Sequence, residues 1–224
     1  MPEARHGTIA GTRCRLAALA VLVAAVDMAA APALAQAQAQ AQTQTQTQTQ
    51  TPKPASPPGR FDKTMMVQGV KFRVVCANNS SVNRLEIIPT GLKIDNRPIS
   101  REIDGTVTGA EVADLNGDGS PEIYVFVTSA GSGSHGSLVA YSANRRKSLS
   151  AIALPPITDH PTAAQGYMGH DEFAVVRNML TRRFPIYKSG DTNAVATGGT
   201  RQLQYKLVAG EATWVLRIDR VVDR

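Results

Sequence analysis

Val70, Phe72, Val74 and Cys76 are apolar, Lys71 and Arg73 between them are charged, and this period of two constrains the fold more than any other feature of the chain. Successive side chains of an extended backbone point to opposite sides, so such a stretch sets one apolar face on a core and one polar face in water. The same alternation returns at Leu203, Tyr205 and Leu207 against Gln202, Gln204 and Lys206, and at Trp214, Leu216 and Ile218 against Arg217 and Asp219. Ala209-Gly210-Glu211 between these two runs predicts a hairpin. Ile123 to Val127 is instead continuously apolar, β-branched and aromatic, the pattern of a central strand covered on both faces. Short apolar stretches at 85–88, 137–141, 173–176 and 179–184 are bounded by Gly, Pro or Asn, and no window carries three turns of helical periodicity. The expectation is an all-β fold, an antiparallel β-sandwich or barrel of roughly eight strands, with room for one short helix within Thr162–Met168.

The N-terminal part has a different character. Arg5, Arg13 and Arg15 precede an unbroken apolar run from Leu16 to Val26, and small residues end it at Ala33-Leu34-Ala35. This is the layout of a cleavable signal peptide over 1–35. The run is 11 residues long, whereas a span of the bilayer needs about 20, so no membrane association is expected after cleavage. Cys14 leaves with the signal, Cys76 remains as a single cysteine, and its phase in the alternation turns it inward. From Gln36 to Thr51 Gln alternates with Ala and then Thr, and a Pro-rich stretch follows. Without large apolar side chains to offset ordering entropy, 36–60 reads as a disordered tether and 61–224 as one folded domain. The charge balance of 24 Lys+Arg against 18 Asp+Glu is basic, but its longest cationic run is Arg145-Arg146-Lys147, too sparse for a nucleic-acid partner.

Asp114, Asn116, Asp118 and Glu122 place side-chain oxygens at positions one, three, five and nine of a loop with Gly119 at six. That is the first half of a calcium loop, although Val125 stands where a bidentate Glu would close it. Two readings stand side by side: a weak extracellular-type calcium site, or an Asx-rich turn whose carboxylates hold backbone N–H groups. No cofactor is required, and calcium is the one candidate. Gly131-Ser132-Gly133-Ser134-His135-Gly136 matches G-x-G-x-x-G, but 137–141 behind it reads as a strand and the next acid is Asp159. A dinucleotide fingerprint needs a helix there and an acid about 20 positions on. The stretch therefore reads as a small-residue loop joining two strands, shaped to enter a cleft on another protein. His160, His170 and Asp171 do not have zinc spacing, and His170 beside Asp171 suggests a local hydrogen bond. Arg182-Arg183 and Arg145-Arg146-Lys147 read as solvated strand ends with the capacity to steer an acidic partner. No nucleophile or acid/base set emerges, which argues against an enzyme.

Asp114 to Gly119, Ile123 to Ser134, Gly136 to Leu138, Gly166 to Phe173, Arg182 to Lys188 and Gly198 to Leu203, in this order, resemble the periplasmic inhibitors of invertebrate-type (I-type) lysozyme. The resemblance implies a β-sandwich that binds a lysozyme, protects peptidoglycan, catalyses nothing and forms homodimers. It implies a periplasmic or secreted location. The lysozyme-facing element of that family is a Ser-Gly-x-Tyr loop, matched here by Ser132, Gly133, Ser134 and His135, with histidine in place of tyrosine. An imidazolium at His135 would favour the cleft carboxylates, so inhibition is expected to tighten as pH falls through about 6.5. The alternative of a different class is an extracellular or envelope calcium-binding β module mediating protein interaction.

Overall fold

The computed structural model describes residues 59–224. The expected signal peptide lies outside the described residues, and so does the tether except for Gly59 and Arg60. Twelve strands make up nearly all of the regular structure: β1 Phe61–Val67, β2 Val70–Cys76, β3 Val82–Thr90, β4 Ile99–Asp104, β5 Thr106–Ala113, β6 Glu122–Thr128, β7 Gly136–Asn144, β8 Ser148–Ala153, β9 Glu172–Val176, β10 Met179–Pro185, β11 Thr200–Ala209 and β12 Trp214–Asp223. A 3-10 turn at Ile157–Asp159 leads into α1, Pro161–Ala164, with proline in its first turn. The all-β class and the single short helix are as expected from the sequence, and the strands number four more than the legible runs.

The strands form two sheets. One has the order β1-β2-β3-β4; the other has β5-β6-β7-β8-β12-β11-β10-β9. Neighbours are antiparallel except β8 and β12, which run parallel over Trp214↔Ile152 and Val215↔Ala153. The larger sheet curls until its edge strands meet, where Val175 N–H of β9 donates to Glu111 Oε2 of β5 at 2.9 Å, giving a nearly closed barrel. Bulges help it bend. One lies in β5 between Val107 and Gly109, where the Phe126 ring occupies the space that a Cβ on residue 109 would need, and another lies at Gln204/Tyr205 in β11.

Strand β6 explains why two cores can coexist. Ile123, Val125 and Val127 pack with Val70, Phe72, Val74, Cys76, Leu85 and Ile87 of the smaller sheet. Tyr124 and Phe126 face the barrel interior with Leu180, Phe184, Leu203, Tyr205, Leu207 and Leu216. The uninterrupted apolar run of the sequence is thus a wall with a core on each side, and the alternating runs of β2 and β11 each serve one core. Each large aliphatic or aromatic side chain so buried contributes about 1.5–3 kcal/mol. Ile157 and Ala163 carry the 3-10 turn and α1 onto the barrel core. Arg201 fastens that segment: its Nη1 donates to the carbonyls of Thr162, Ala163 and Gln165, while Nε and Nη2 pair with Asp223. Cys76 is a buried free thiol. The Arg145-Arg146-Lys147 run forms the tight β7–β8 turn, with both arginines at positive φ (51° and 55°), and its Arg146 and Lys147 carbonyls accept from the N–H groups of Lys93, Ile94 and Asp95.

Candidate functional site

The Ser132–His135 loop connects β6 to β7 at one end of the barrel, and its backbone acceptors are almost all consumed from within. Gly131 O accepts from Ser134 N–H (2.9 Å), Gly133 O from His170 N–H (2.7 Å), and His135 O from Ser129 N–H (2.9 Å). Ser132 O accepts from Asn193 Nδ2 at 2.8 Å. His135 N–H donates to Ser129 Oγ. By contrast, the N–H groups of Ser132 and Gly133 and the hydroxyls of Ser132 and Ser134 have no hydrogen-bond partner among the described residues. Three of the four carbonyls of 132–135 are therefore taken up, while the N–H groups of Ser132 and Gly133 and two hydroxyls stay free. Ser132 and His135 are exposed, and Ser134 sits at φ 41°, a left-handed conformation that its bond to Gly131 helps to hold. The His135 ring lies edge-on to Tyr167, with centroids 5.7 Å apart, and rests beside Gly133.

A second loop, between α1 and β9, supports the first from below. Gly169, at φ 99°, lets the two backbones touch: a Cβ there would run into the Gly133 carbonyl oxygen. Asp171 has a fully buried carboxylate. Its Oδ2 accepts from Gly136 N–H (2.7 Å) and from the Tyr167 hydroxyl (2.6 Å), and its Oδ1 accepts from Arg182 Nε (2.6 Å). Arg182 also donates to the Tyr167 oxygen at 2.8 Å and lies over the rings of Tyr167, Phe173 and Phe184. Burial works against the Arg182 charge, but the hydrogen bond and charge of Asp171 outweigh it and raise the guanidinium pKa. Burial, then the bond to Asp171, pushes the Tyr167 hydroxyl well above its ordinary value.

These contacts correct two expectations. Asp171 makes no bond to its neighbour His170, which sits at φ 56° and directs Nε2 to Asn193 Oδ1 at 3.2 Å. Left-handed geometry separates the two side chains, so adjacency in sequence is not adjacency in space. Arg182 is no solvated strand end either; it is the buried partner of Asp171, whereas Arg183 on the next position of β10 is exposed.

A third loop, between β10 and β11, closes the group. The Tyr187 hydroxyl donates to Asn193 O (3.0 Å), and the Tyr187 ring stacks on His170 with centroids 6.3 Å apart. Asp191 fixes the loop by accepting from the N–H groups of Lys188 and Thr197 and from the Thr197 hydroxyl. Tyr167, Asp171 and Asn193 carried no signal in the sequence as supports of the loop, because their partners lie far along the chain or around an irregular turn.

Asp114, Asn116 and Asp118 lie between β5 and β6 at the opposite end of β6, and Glu122 is the first residue of β6. Seven residues of strand put about 20 Å between the two candidate sites, so they do not form one centre. Oxygens of Asp114, Asp118 and Glu122 lie within 4.8 Å of one another. The same oxygens hold backbone: Asp114 accepts from Asp118 and Gly119 N–H, Asp118 from Ser120 N–H, and Glu122 from Leu115 N–H at 2.8 Å. Asn116 Oδ1 accepts from Asp118 N–H, and its amide donates to Asp118. Glu122 is fully buried, and burial pushes its carboxyl up to about 7. The Asx-turn hydrogen bonds expected of such a loop are thus present, in a geometry that also gathers three carboxylates.

No curated protein matches the chain significantly. A family model does match residues 94–164, a span that starts just before β4, ends with α1 and contains both Asp114–Glu122 and Ser132–His135. Tyr167, Asp171 and Asn193 lie beyond it. Over that span, the motifs that suggested the resemblance are matched by the model of the periplasmic lysozyme inhibitors of I-type lysozyme.

Proposed function

We propose that the protein inhibits an invertebrate-type lysozyme by inserting the Ser132–His135 loop into the glycosidase cleft. The family match over residues 94–164 supports a lysozyme-inhibitor role in general. The observation that carries the finer reading is the division of polarity in the loop. The Ser132, Gly133 and His135 carbonyls are occupied by neighbouring N–H groups, while Ser132 N–H, Gly133 N–H and two serine hydroxyls are left as donors. A glycosidase cleft presents a pair of carboxyl groups flanking the scissile bond. Free donors on a narrow loop answer those oxygens with charge-assisted hydrogen bonds, while unsatisfied carbonyls would repel them. A loop already held by two neighbouring loops also loses little conformational entropy on binding. In this reading residues 1–35 export the chain, 36–60 tether it, and the domain from residue 61 protects peptidoglycan in the periplasm without catalysis, with homodimerisation as the family resemblance implies. The test is hydrolysis of bacterial cell walls by invertebrate-, chicken- and goose-type lysozymes with and without the purified protein. Selective slowing of the invertebrate-type enzyme is expected, with Ser132→Ala and His135→Ala each weakening it by about tenfold, the equivalent of one charge-assisted hydrogen bond. Equal activity of all three enzymes with and without the protein refutes the proposal.

A second reading concerns the other end of β6. The carboxylate oxygens within 4.8 Å of one another favour a calcium ion at Asp114, Asp118 and Glu122, with Asn116 beside them. A melting temperature that rises with millimolar calcium, and no longer does so in Asp118→Ala, is the expected sign of an envelope calcium module; a melting temperature indifferent to calcium removes it.

A further inference from the structure

The Lys188–Gly199 loop has no part in the family match and none in the sequence motif that pointed to a binding loop. It nevertheless stands against the Ser132–His135 loop. Asn193 is the join: its amide nitrogen donates to Ser132 O at 2.8 Å, its amide oxygen faces His170 Nε2 at 3.2 Å, and its backbone carbonyl accepts from the Tyr187 hydroxyl. Because Ser132 O can only accept and the amide is held at both ends, the side chain is fixed in one orientation. On either side of it, Thr192 and Val195 form an isolated bridge, and this small hairpin lifts Val195 into solvent with 59% of its surface exposed. On the neighbouring support, Met168 is 42% exposed, and its carbonyl lies beside Gly133. Large apolar side chains that stay exposed while their own loops are tightly hydrogen-bonded are not there to complete a core. They flank a loop whose free groups are polar donors.

We infer that the Lys188–Gly199 loop is a second arm of the lysozyme-facing surface, with Val195 and Met168 gripping the apolar rim of the glycosidase cleft and Asn193 positioning the first arm. The inference rests on the proposed inhibition. Substrate clefts are lined mainly by hydrophobic and aromatic side chains around a few polar groups. A surface made of central donors and apolar flanks complements such a cleft in both respects, and contacts away from the carboxylates are where one lysozyme differs from another. Val195 and Met168 are contact residues in this scheme. Asn193 touches the target only through Ser132 and is a positioning residue.

The experiment uses full-length mature protein and an invertebrate-type lysozyme. Inhibition constants are measured for the wild type, Val195→Asp, Met168→Lys and Asn193→Asp, with amide hydrogen exchange of Ser134 and His135 followed in the free proteins. Val195→Asp and Met168→Lys are expected to weaken inhibition by tenfold or more, about 1.4 kcal/mol, with unchanged melting temperature and unchanged exchange. Asn193→Asp keeps an oxygen towards His170 but sets an acceptor against Ser132 O; it is expected to speed exchange in the free loop and weaken inhibition together. Wild-type affinity in Val195→Asp and Met168→Lys overturns the second arm while leaving the proposed inhibition standing. Unchanged loop exchange in Asn193→Asp overturns the positioning role. If the wild type does not slow the enzyme at all, the proposed function and this inference fall together.

Discussion

Replacing Asp171 by alanine should cost more stability than any other single polar substitution in the barrel. The carboxylate is fully buried and accepts from Gly136 N–H, the Tyr167 hydroxyl and Arg182 Nε at 2.6–2.7 Å. Its removal strands a guanidinium that is itself 6% exposed. Breaking a buried ion pair from one side costs about 3–5 kcal/mol, because the remaining charge is left without compensation. The orphaned Gly136 N–H belongs to the same network, so its penalty of about 1–3 kcal/mol overlaps with that figure and does not add to it in full. Against the 5–15 kcal/mol that holds a typical domain together, the loss is large. It corresponds to a fall in melting temperature of roughly 6–20 °C for a domain of this size. Urea unfolding followed by the fluorescence of Trp214, the single tryptophan, measures it directly. Arg182→Met and the double variant complete a cycle: an apolar side chain in place of the charge removes the stranded guanidinium, so the double variant should lose at least about 2 kcal/mol less than the sum of the singles. An Asp171→Ala loss below about 1 kcal/mol, or strictly additive losses, would refute the account of Asp171 as the keystone beneath the loop.

Other outcomes follow from the same structure. Glu122 holds its proton up to about 7 in the folded protein against 4.5 in an unperturbed chain. Between those values the folded state binds more protons, so stability should fall by roughly 3 kcal/mol as pH rises across the window and then level off. Glu122→Gln should flatten that curve, and a wild-type stability that does not fall between about pH 5 and 7 contradicts the assignment. Gly169→Ala forces a methyl group against the Gly133 carbonyl in a left-handed backbone. Its inhibition should drop by more than its stability, as seen by comparing inhibition constants with urea midpoints. Cys76 is 1% exposed and should react with a thiol reagent only in denaturant; rapid labelling of the native protein would show that β2 opens.

How much of this could be read beforehand depended on burial. Strands β2, β6, β11 and β12 were legible because each sets large apolar side chains on at least one core. The four strands that the sequence did not show were edges or were poor in large side chains. β1 and β4 are the outer strands of the smaller sheet and expose Lys63, Thr64, Ser100, Arg101 and Glu102. β5 carries threonines, a glycine and a bulge, and β8 is built mainly from serine and alanine. Such strands form because a neighbouring strand satisfies their backbone, which no local pattern reports. The binding loop was visible as a cluster of glycine and serine between two apolar runs. Its supports were not, since Asn193 reaches Ser132 across 61 positions and Asp171 is turned from His170 by a left-handed residue. The carboxylates of the Asp114 loop were legible as a group, but not the full burial of Glu122, which arises where β6 passes beneath the turn.

Strand β6 also sets a condition on how the chain can fold. Its odd-numbered side chains belong to one interior and its even-numbered ones to the other, so sliding it by one residue would exchange Tyr124 and Phe126 with Ile123, Val125 and Val127. The slim aliphatics would leave voids in the barrel, and the rings would collide with the smaller sheet, so both interiors would fail at once. A shared partition therefore proofreads its own alignment twice. It also makes melting a joint event, because neither half can lose the partition and survive on its own.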